Sequence, residues 1–335
     1  MDNVVFALNA VLPIVILIAL GYILKRAGFF TKEFLTVANK FCFRVLLPTM
    51  LFMNIYKIDS LADINWNTAL FCVGSILVAF VVGLILVKIF IPALDQKGVV
   101  LQCVFRSNYA IIGIPLAEMI YGEAGKQVAS LMSAFTIPVF NILAVIALTM
   151  YVTDERAEGE RVNTGAQIKK TLIGIAKNPL IHGVLAGVVV VLIRQLFVSS
   201  GWTFRLSDIK FLYTSANYVS SLTTPLALIV LGGQFEFSSF KNNTKQIIIA
   251  TVARTVFIPA VFLVVACVAF GFRGADVATF VAIYGSPVAV ASAIMAREMR
   301  GDGDLAGALV VSTTVVSTFT LIIMISVLNA CGVFA

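Results

Sequence analysis

Apolar runs of about 20 residues, the length that crosses a bilayer as a helix, alternate along this chain with short polar connections. They lie at 4 to 24, 34 to 56, 67 to 91, 98 to 121, 127 to 152, 178 to 198, 211 to 235, 246 to 271, 276 to 298 and 306 to 330. The pattern predicts an all-α integral membrane fold of ten transmembrane helices. The long polar connection, 153 to 177, is rich in Glu, Arg and Lys and divides the spans five and five. This predicts a first five-helix repeat over 1–152, a cytoplasmic linker over 153–177 and a second five-helix repeat over 178–335.

Two of the runs are interrupted near their middles. The first reads Arg106-Ser107-Asn108-Tyr109 and then Gly113-Ile114-Pro115; the second reads Tyr284-Gly285-Ser286-Pro287. Polar residues, glycine and proline at bilayer depth release backbone N–H and C=O groups that lipid cannot satisfy, so such breaks persist only against protein or a water-filled cavity. In transporters, interrupted helices of this kind mark the binding site.

Composition supports the membrane reading. Of the 335 residues, 60% are hydrophobic and 12% charged, about half the charged fraction of a soluble domain. The net charge of +7 comes from basic residues scattered between apolar runs, not from one patch, which speaks for membrane topology and against nucleic acid as a partner. The loops after the odd-numbered spans hold 15 of the 24 Lys and Arg and the opposite side holds six, with Arg44, Arg106 and Arg254 inside spans. By the positive-inside rule both termini face away from the cytoplasm of a plasma or inner membrane. The five cysteines, Cys42, Cys72, Cys103, Cys267 and Cys331, lack metal-type spacing and read as small core hydrophobes.

The halves share a register. Pro48 in span two and Pro225 in span seven are 177 residues apart, and the same offset carries Asn108 onto Gly285. With an odd number of spans per half the second copy enters the membrane the other way, so the expected repeats are inverted.

Several stretches then resemble the auxin efflux carrier family, which includes plant auxin exporters and bacterial malate or malonate permease-like proteins. They are Asn108-Tyr-Ala-Ile-Ile-Gly-Ile-Pro-Leu116, Lys177-Asn178-Pro179, Pro225-Leu-Ala-Leu-Ile-Val-Leu-Gly232 and Ser286-Pro287 followed by Ala296-Arg-Glu298. The resemblance implies a fold similar to sodium/proton antiporters and bile-acid symporters, with discontinuous helices four and nine crossing at Ser107-Asn108 and Ser286-Pro287. It further implies a transport domain of spans three to five and eight to ten, a scaffold of spans one, two, six and seven, and a homodimer. The family's plant members tend to carry a proline where this chain has Ser107, and their long cytoplasmic loop is here reduced.

The candidate chemistry is that of an anion site. Half-helix N-termini carry unpaired N–H groups and roughly half a positive charge. Around the breaks, Arg106, Ser107, Asn108, Tyr284, Gly285, Ser286 and Pro287 are the candidate substrate contacts, with Asn141 added from span five. Asn108 can instead serve only to cap freed backbone. Gly113 and Pro115 set the geometry of the first break, Pro287 by removing a donor that of the second. A charge at mid-membrane costs on the order of 3 kcal/mol, so the in-span arginines need a reason: for Arg44 and Arg254 snorkelling or bracing a helix end, for Arg106 either the same or a bound anion.

Every Asp and Glu falls in a loop or near a span end, with Glu118, Glu236 and Glu298 closest to the interior, which disfavours a carboxylate-based relay. The single histidine, His182, is either a satisfied structural histidine in its helix or the candidate for coupling. No cofactor is expected beyond a coupling proton or sodium ion. No paired carboxylates, nucleophile-base set or metal-spaced cluster points to an enzyme. The expectation is a secondary transporter of a small organic anion, a mono- or dicarboxylate, working by alternating access amid membrane lipid, with a channel or ligand-sensing receptor as the alternative.

Overall fold

A computed structural model describes residues 2–57, 65–151, 173, 176–199, 205–236 and 238–334, with side chains described from Leu12 onward except at 198 and 199. Most of the expected linker, at 153–172 and 174–175, lies outside the described residues. Every regular element among the described residues is helical. The α-helices are α1 (Asp2–Arg26), α2 (Lys32–Phe41), α3 (Leu47–Tyr56), α4 (Trp66–Phe90), α5 (Leu94–Phe105), α6 (Ile114–Met150) and α7 (Pro179–Ser199). There follow α8 (Lys210–Gln234), α9 (Ser238–Asn242), α10 (Thr244–Val252), α11 (Ile258–Val264), α12 (Gly274–Gly285), α13 (Ala291–Glu298) and α14 (Gly303–Ala330).

The ten-span expectation is corrected by this structure. Among the described residues six helical stretches are long and apolar enough to cross a membrane: Lys32–Tyr56, Trp66–Phe90, Leu94–Met150, Pro179–Phe197, Thr244–Ala269 and Gly303–Ala330. The causes are local. The runs at 98 to 121 and 127 to 152 belong to one long stretch, Leu94–Met150. The run at 276 to 298 is divided into α12 and α13, of 12 and 8 residues, each well short of the ~20 needed to span. The run at 211 to 235 folds as the single helix α8, whose first half is rich in Tyr, Ser, Thr and Asn. The run at 4 to 24 has side chains outside the described set through residue 11. Two inverted five-helix repeats with crossed helices four and nine, on the plan of sodium/proton antiporters or bile-acid symporters, are therefore not the arrangement found.

Proline explains most of the irregular backbone. Three π-helical turns, Cys42–Leu46, Tyr109–Gly113 and Ala253–Phe257, each end two residues before a proline: Pro48, Pro115 and Pro259. A proline has no N–H to donate and its ring collides with the carbonyl four residues back, so the helix widens by one residue there. The long helix α6 also kinks at Tyr121 and Gly122, where Gly122 has φ 61°.

Two neighbourhoods of packing emerge. Helix α1 lies along α8, and α3 along α7 and α8. Elsewhere α4, α5 and α6 pack together, α12 packs on α6, and α14 on α5, α10 and α13. Where α1 meets α8, Gly232 faces the Ile18 carbonyl and Gly21 the Ile229 carbonyl so closely that a Cβ at either would collide with backbone. Small residues that let backbones touch are the usual means of helix association in lipid. Large apolar side chains such as Ile16, Leu70, Ile85 and Phe319 point outward, as a lipid-facing surface requires, whereas polar side chains such as Thr68, Asn141, Arg254 and Ser286 are drawn inward.

Candidate functional site

The chain leaves helical geometry after α5. Arg106 is extended (φ −82°, ψ 131°) and Asn108 sits at φ −80°, ψ 44°, after which the turn Tyr109–Gly113 leads into α6. A second departure follows α12, where Ser286 is extended (φ −66°, ψ 147°), and α13 begins at Ala291. The two breaks touch: the Asn108 N–H donates to the Pro287 carbonyl at 2.8 Å. A further tie holds the second break to α14, with the Val288 N–H donating to Thr313 Oγ1 at 3.3 Å.

Each break leaves C-terminal carbonyls without an intrahelical partner, and one side chain serves both sets. Arg254, on the turn Ala253–Phe257 and fully buried, donates to the Ser286 carbonyl at 2.7 Å (Nη2) and 3.1 Å (Nε) and to the Ile283 carbonyl at 2.8 Å. Its Nη1 reaches the Phe105 carbonyl at 3.4 Å. The guanidinium thus stands at the C-terminal ends of α12 and α5, where the helix dipoles are negative and carbonyls are orphaned. Bracing a helix end is one of the two roles expected of it. Arg44, by contrast, is solvent- or lipid-exposed on its turn.

Arg106 is buried beside the first break, 3% exposed, and its partners are all neutral. Nη1 donates to Gln102 Oε1 at 2.8 Å and contacts the Met295 sulfur; Nη2 donates to Asn141 Oδ1 at 2.8 Å. Asn141 in turn donates its Nδ2 to the Ile137 carbonyl at 2.8 Å, which fixes the amide so that its oxygen faces the arginine. The described ion pairs, Lys25 with Glu236, Lys126 with Glu118 and Glu123, and Arg297 with Asp304, involve other residues.

A cavity of about 60 Å³ opens at this point, lined by Arg106, Ser107, Asn108 and Asn141. The Ser107 hydroxyl is buried and makes no hydrogen bond. Asn54 of α3 and Thr223 and Thr224 of α8 face them across the cavity, with Ala289 to Ala291 contributing the second break. Four of the eight expected contacts are therefore gathered here. The other four are not among the lining residues. The Tyr284 hydroxyl is hydrogen-bonded to Ser75 Oγ and its ring stacks on Phe262; Ser286 Oγ donates to the Ala282 carbonyl at 2.6 Å. Gly285 abuts Leu321, and Pro287 supplies the carbonyl that receives Asn108. His182 is exposed on α7, its Nε2 2.7 Å from the Ala176 carbonyl, and is not part of the lining.

Gly113 has a geometric reason. A Cβ there would come within 2.6 Å of the Tyr109 ring and 2.8 Å of the Ala282 carbonyl, so only glycine lets α12 lie against the first break. Sequence reasoning missed Thr223 and Thr224; the available signal was a cluster of hydroxyl residues in α8 directly before Pro225. It also missed Gln102 as the residue that holds Arg106.

A multi-pass helical membrane protein with a largely apolar cavity that carries a few polar side chains at two touching helix breaks belongs, by architecture, with the transporters. The chain is a member of the membrane transport protein family, the auxin efflux carrier family, whose family model matches residues 6–325. An uncharacterised transporter of Methanocaldococcus jannaschii is 28% identical over 258 residues, covering 76% of this chain and 77% of that protein. An uncharacterised transporter of Methanothermobacter thermautotrophicus is 22% identical over 323 residues, covering 93% and 95%. Transport, not catalysis, is the role that family membership assigns. No group of three His, Cys, Asp or Glu able to hold a metal occurs among the described residues.

Proposed function

We propose that this secondary transporter moves a small organic anion, a mono- or dicarboxylate, and binds it in the cavity beside the two helix breaks. The observation that carries the reading is Arg106: a buried guanidinium on the cavity wall whose described partners are all neutral. A charge held away from water is expensive without a counter-charge, and a substrate carboxylate would supply one. Ser107, with its unsatisfied hydroxyl, and Asn108 add donors beside it. The apolar wall from Leu47, Ile137 and Phe140 would accept the carbon skeleton, as small-molecule sites usually do.

Alternating access would follow from movement of the α4, α5, α6, α12 and α14 neighbourhood, which carries both breaks, against the α1, α3, α7 and α8 neighbourhood, which supplies the facing wall. In this reading both termini lie outside the cytoplasm, which the Lys and Arg bias along the sequence supports, and the protein is a homodimer in the cell membrane, which rests on the family resemblance alone.

Thermal stabilisation of the purified protein across acetate, malonate, malate and an aromatic acid, with and without sodium, tests the anion directly, because selective binding raises apparent stability by mass action. Arg106→Ala and Asn108→Ala should abolish the shift; wild-type shifts in both variants would sink the site assignment. Concentrative uptake in proteoliposomes separates a carrier from a channel, and binding without flux would indicate a sensor.

A further inference from the structure

Beside Gln102, the residue that holds Arg106, lies a second, smaller cavity of about 10 Å³. Val99 and Leu309 form part of its apolar lining, and Gln102, Cys103 and Ser292 supply heteroatoms. Two of these are unsatisfied. Gln102 is 1% exposed and Ser292 5% exposed, and neither Gln102 Nε2 nor Ser292 Oγ has a hydrogen-bond partner. Cys103 is directed elsewhere, its Sγ lying 3.9 Å from the Ala250 carbonyl.

Buried polar atoms are rarely left unpaired, and when several face one enclosed space an ordered solvent molecule is the usual explanation. We infer that this cavity is a binding site for a single water molecule, which accepts a hydrogen bond from Gln102 Nε2 and exchanges one with the Ser292 hydroxyl. The volume matches, since about 10–15 Å³ by this measure accommodates one water. A metal cation is excluded by charge: the amide turns its hydrogens to the cavity, and its oxygen is already taken by Arg106 Nη1 at 2.8 Å. A carboxylate is excluded by size.

The position gives the water a purpose. Gln102 is on α5, one turn before the first break, and Ser292 is on α13, just after the second. The water therefore joins the same two segments that the Asn108 N–H and Pro287 carbonyl join. Arg106 turns Oε1 of Gln102 toward itself, since the opposite orientation would set two donors against the guanidinium, and this leaves the amide hydrogens to the water. Gln102 thus links Arg106 on one side to the water on the other, and Ser292 holds the water from α13. This holds whatever the transported solute is.

The test is an experimental map of the full-length wild-type protein near 2 Å resolution, in which a solvent peak at about 2.7–3.2 Å from both Gln102 Nε2 and Ser292 Oγ is expected. An empty cavity in a map that shows other buried waters would overturn the inference. The second measurement is the structure of Ser292→Val, which replaces the hydroxyl and fills the water's place. Loss of the solvent peak, with Gln102 Oε1 still facing Arg106, is the expected result. A peak retained at the same place would show that Ser292 does not hold the water and would overturn the site.

Discussion

The Asn108 N–H and the Pro287 carbonyl, 179 residues apart in sequence, are joined by a 2.8 Å hydrogen bond. It seals one helix break against the other and gives each an internal partner for a group that lipid would leave unsatisfied. Because both partners are backbone atoms, no side-chain substitution other than proline at 108 removes the bond directly. Its support does depend on side chains, and these make testable differences.

Arg254→Met keeps length and removes every donor, leaving the carbonyls of Ser286, Ile283 and Phe105 to one another. A buried acceptor left unsatisfied costs about 1–3 kcal/mol, so a loss of stability of at least that size is expected. Thermal unfolding in detergent reads it. Arg254→Lys should recover only part, since one ammonium group cannot fork between the ends of two helices. An unchanged midpoint in the methionine variant would remove Arg254 as the brace.

Arg106→Lys preserves charge but not geometry. The guanidinium spans Gln102 and Asn141, and an ammonium group presents a compact point charge instead of a planar fork. Uptake of whichever acid stabilises the wild type should fall by about tenfold or more, equivalent to ~1.4 kcal/mol, with a smaller change in thermal midpoint than Arg254→Met gives. Equal uptake by both proteins would argue that the arginine is structural.

Gly113→Ala and Gly285→Ala should differ in severity. At Gly113 the added carbon meets the Ala282 carbonyl at 2.8 Å, which is backbone and cannot swing aside, whereas at Gly285 it meets Leu321 Cδ2 at 2.5 Å, the far end of a flexible side chain. Overpacking costs about 1–3 kcal/mol, and Gly113→Ala belongs at the upper end. Midpoints in the reverse order would show that the close approach of α12 to the first break is not the constraint.

Lys25 Nζ and Glu236 Oε1 form an ion pair at 2.5 Å between the end of α1 and the residues after α8. The hydrogen bond from Lys25 holds the Glu236 carboxyl below its ordinary value. A carboxylate depressed in the folded state stabilises above its unfolded pKa and loses that contribution as pH falls through the folded pKa. The wild type should therefore lose stability relative to Glu236→Gln below about pH 4.3. The pair is half exposed, so the difference at neutral pH should stay under about 1 kcal/mol. Parallel pH profiles of the two proteins would contradict it.

Much of the site was legible because its signals are local. Arg106-Ser107-Asn108 and Ser286-Pro287 announce breaks through residue types that helices in lipid tolerate poorly, and the π-helical turns before Pro48, Pro115 and Pro259 follow from the missing N–H of each proline. Counting spans by apolar length was less secure. That rule cannot see that 94–150 runs as one apolar stretch through the break at 106–108 and the kink at Tyr121 and Gly122, or that 286–290 divides its segment into pieces too short to cross.

The sequence by itself determined that the chain is helical, embedded in a membrane, interrupted at two polar points and related to transporters, because apolar length, proline and glycine act within a turn or two of where they stand. Only the tertiary structure decided that the two breaks touch and that Arg254 serves the carbonyl ends of both. It likewise decided that Arg106 is held by Gln102 and Asn141 and that Asn54, Thr223 and Thr224 complete the cavity while Tyr284 and Ser286 turn away. Those outcomes depend on how each helix is rotated and how closely its neighbours approach, and that is set in large part by packing among residues more than 100 positions apart, such as Arg254 with Phe105 and Asn108 with Pro287, which no local pattern encodes.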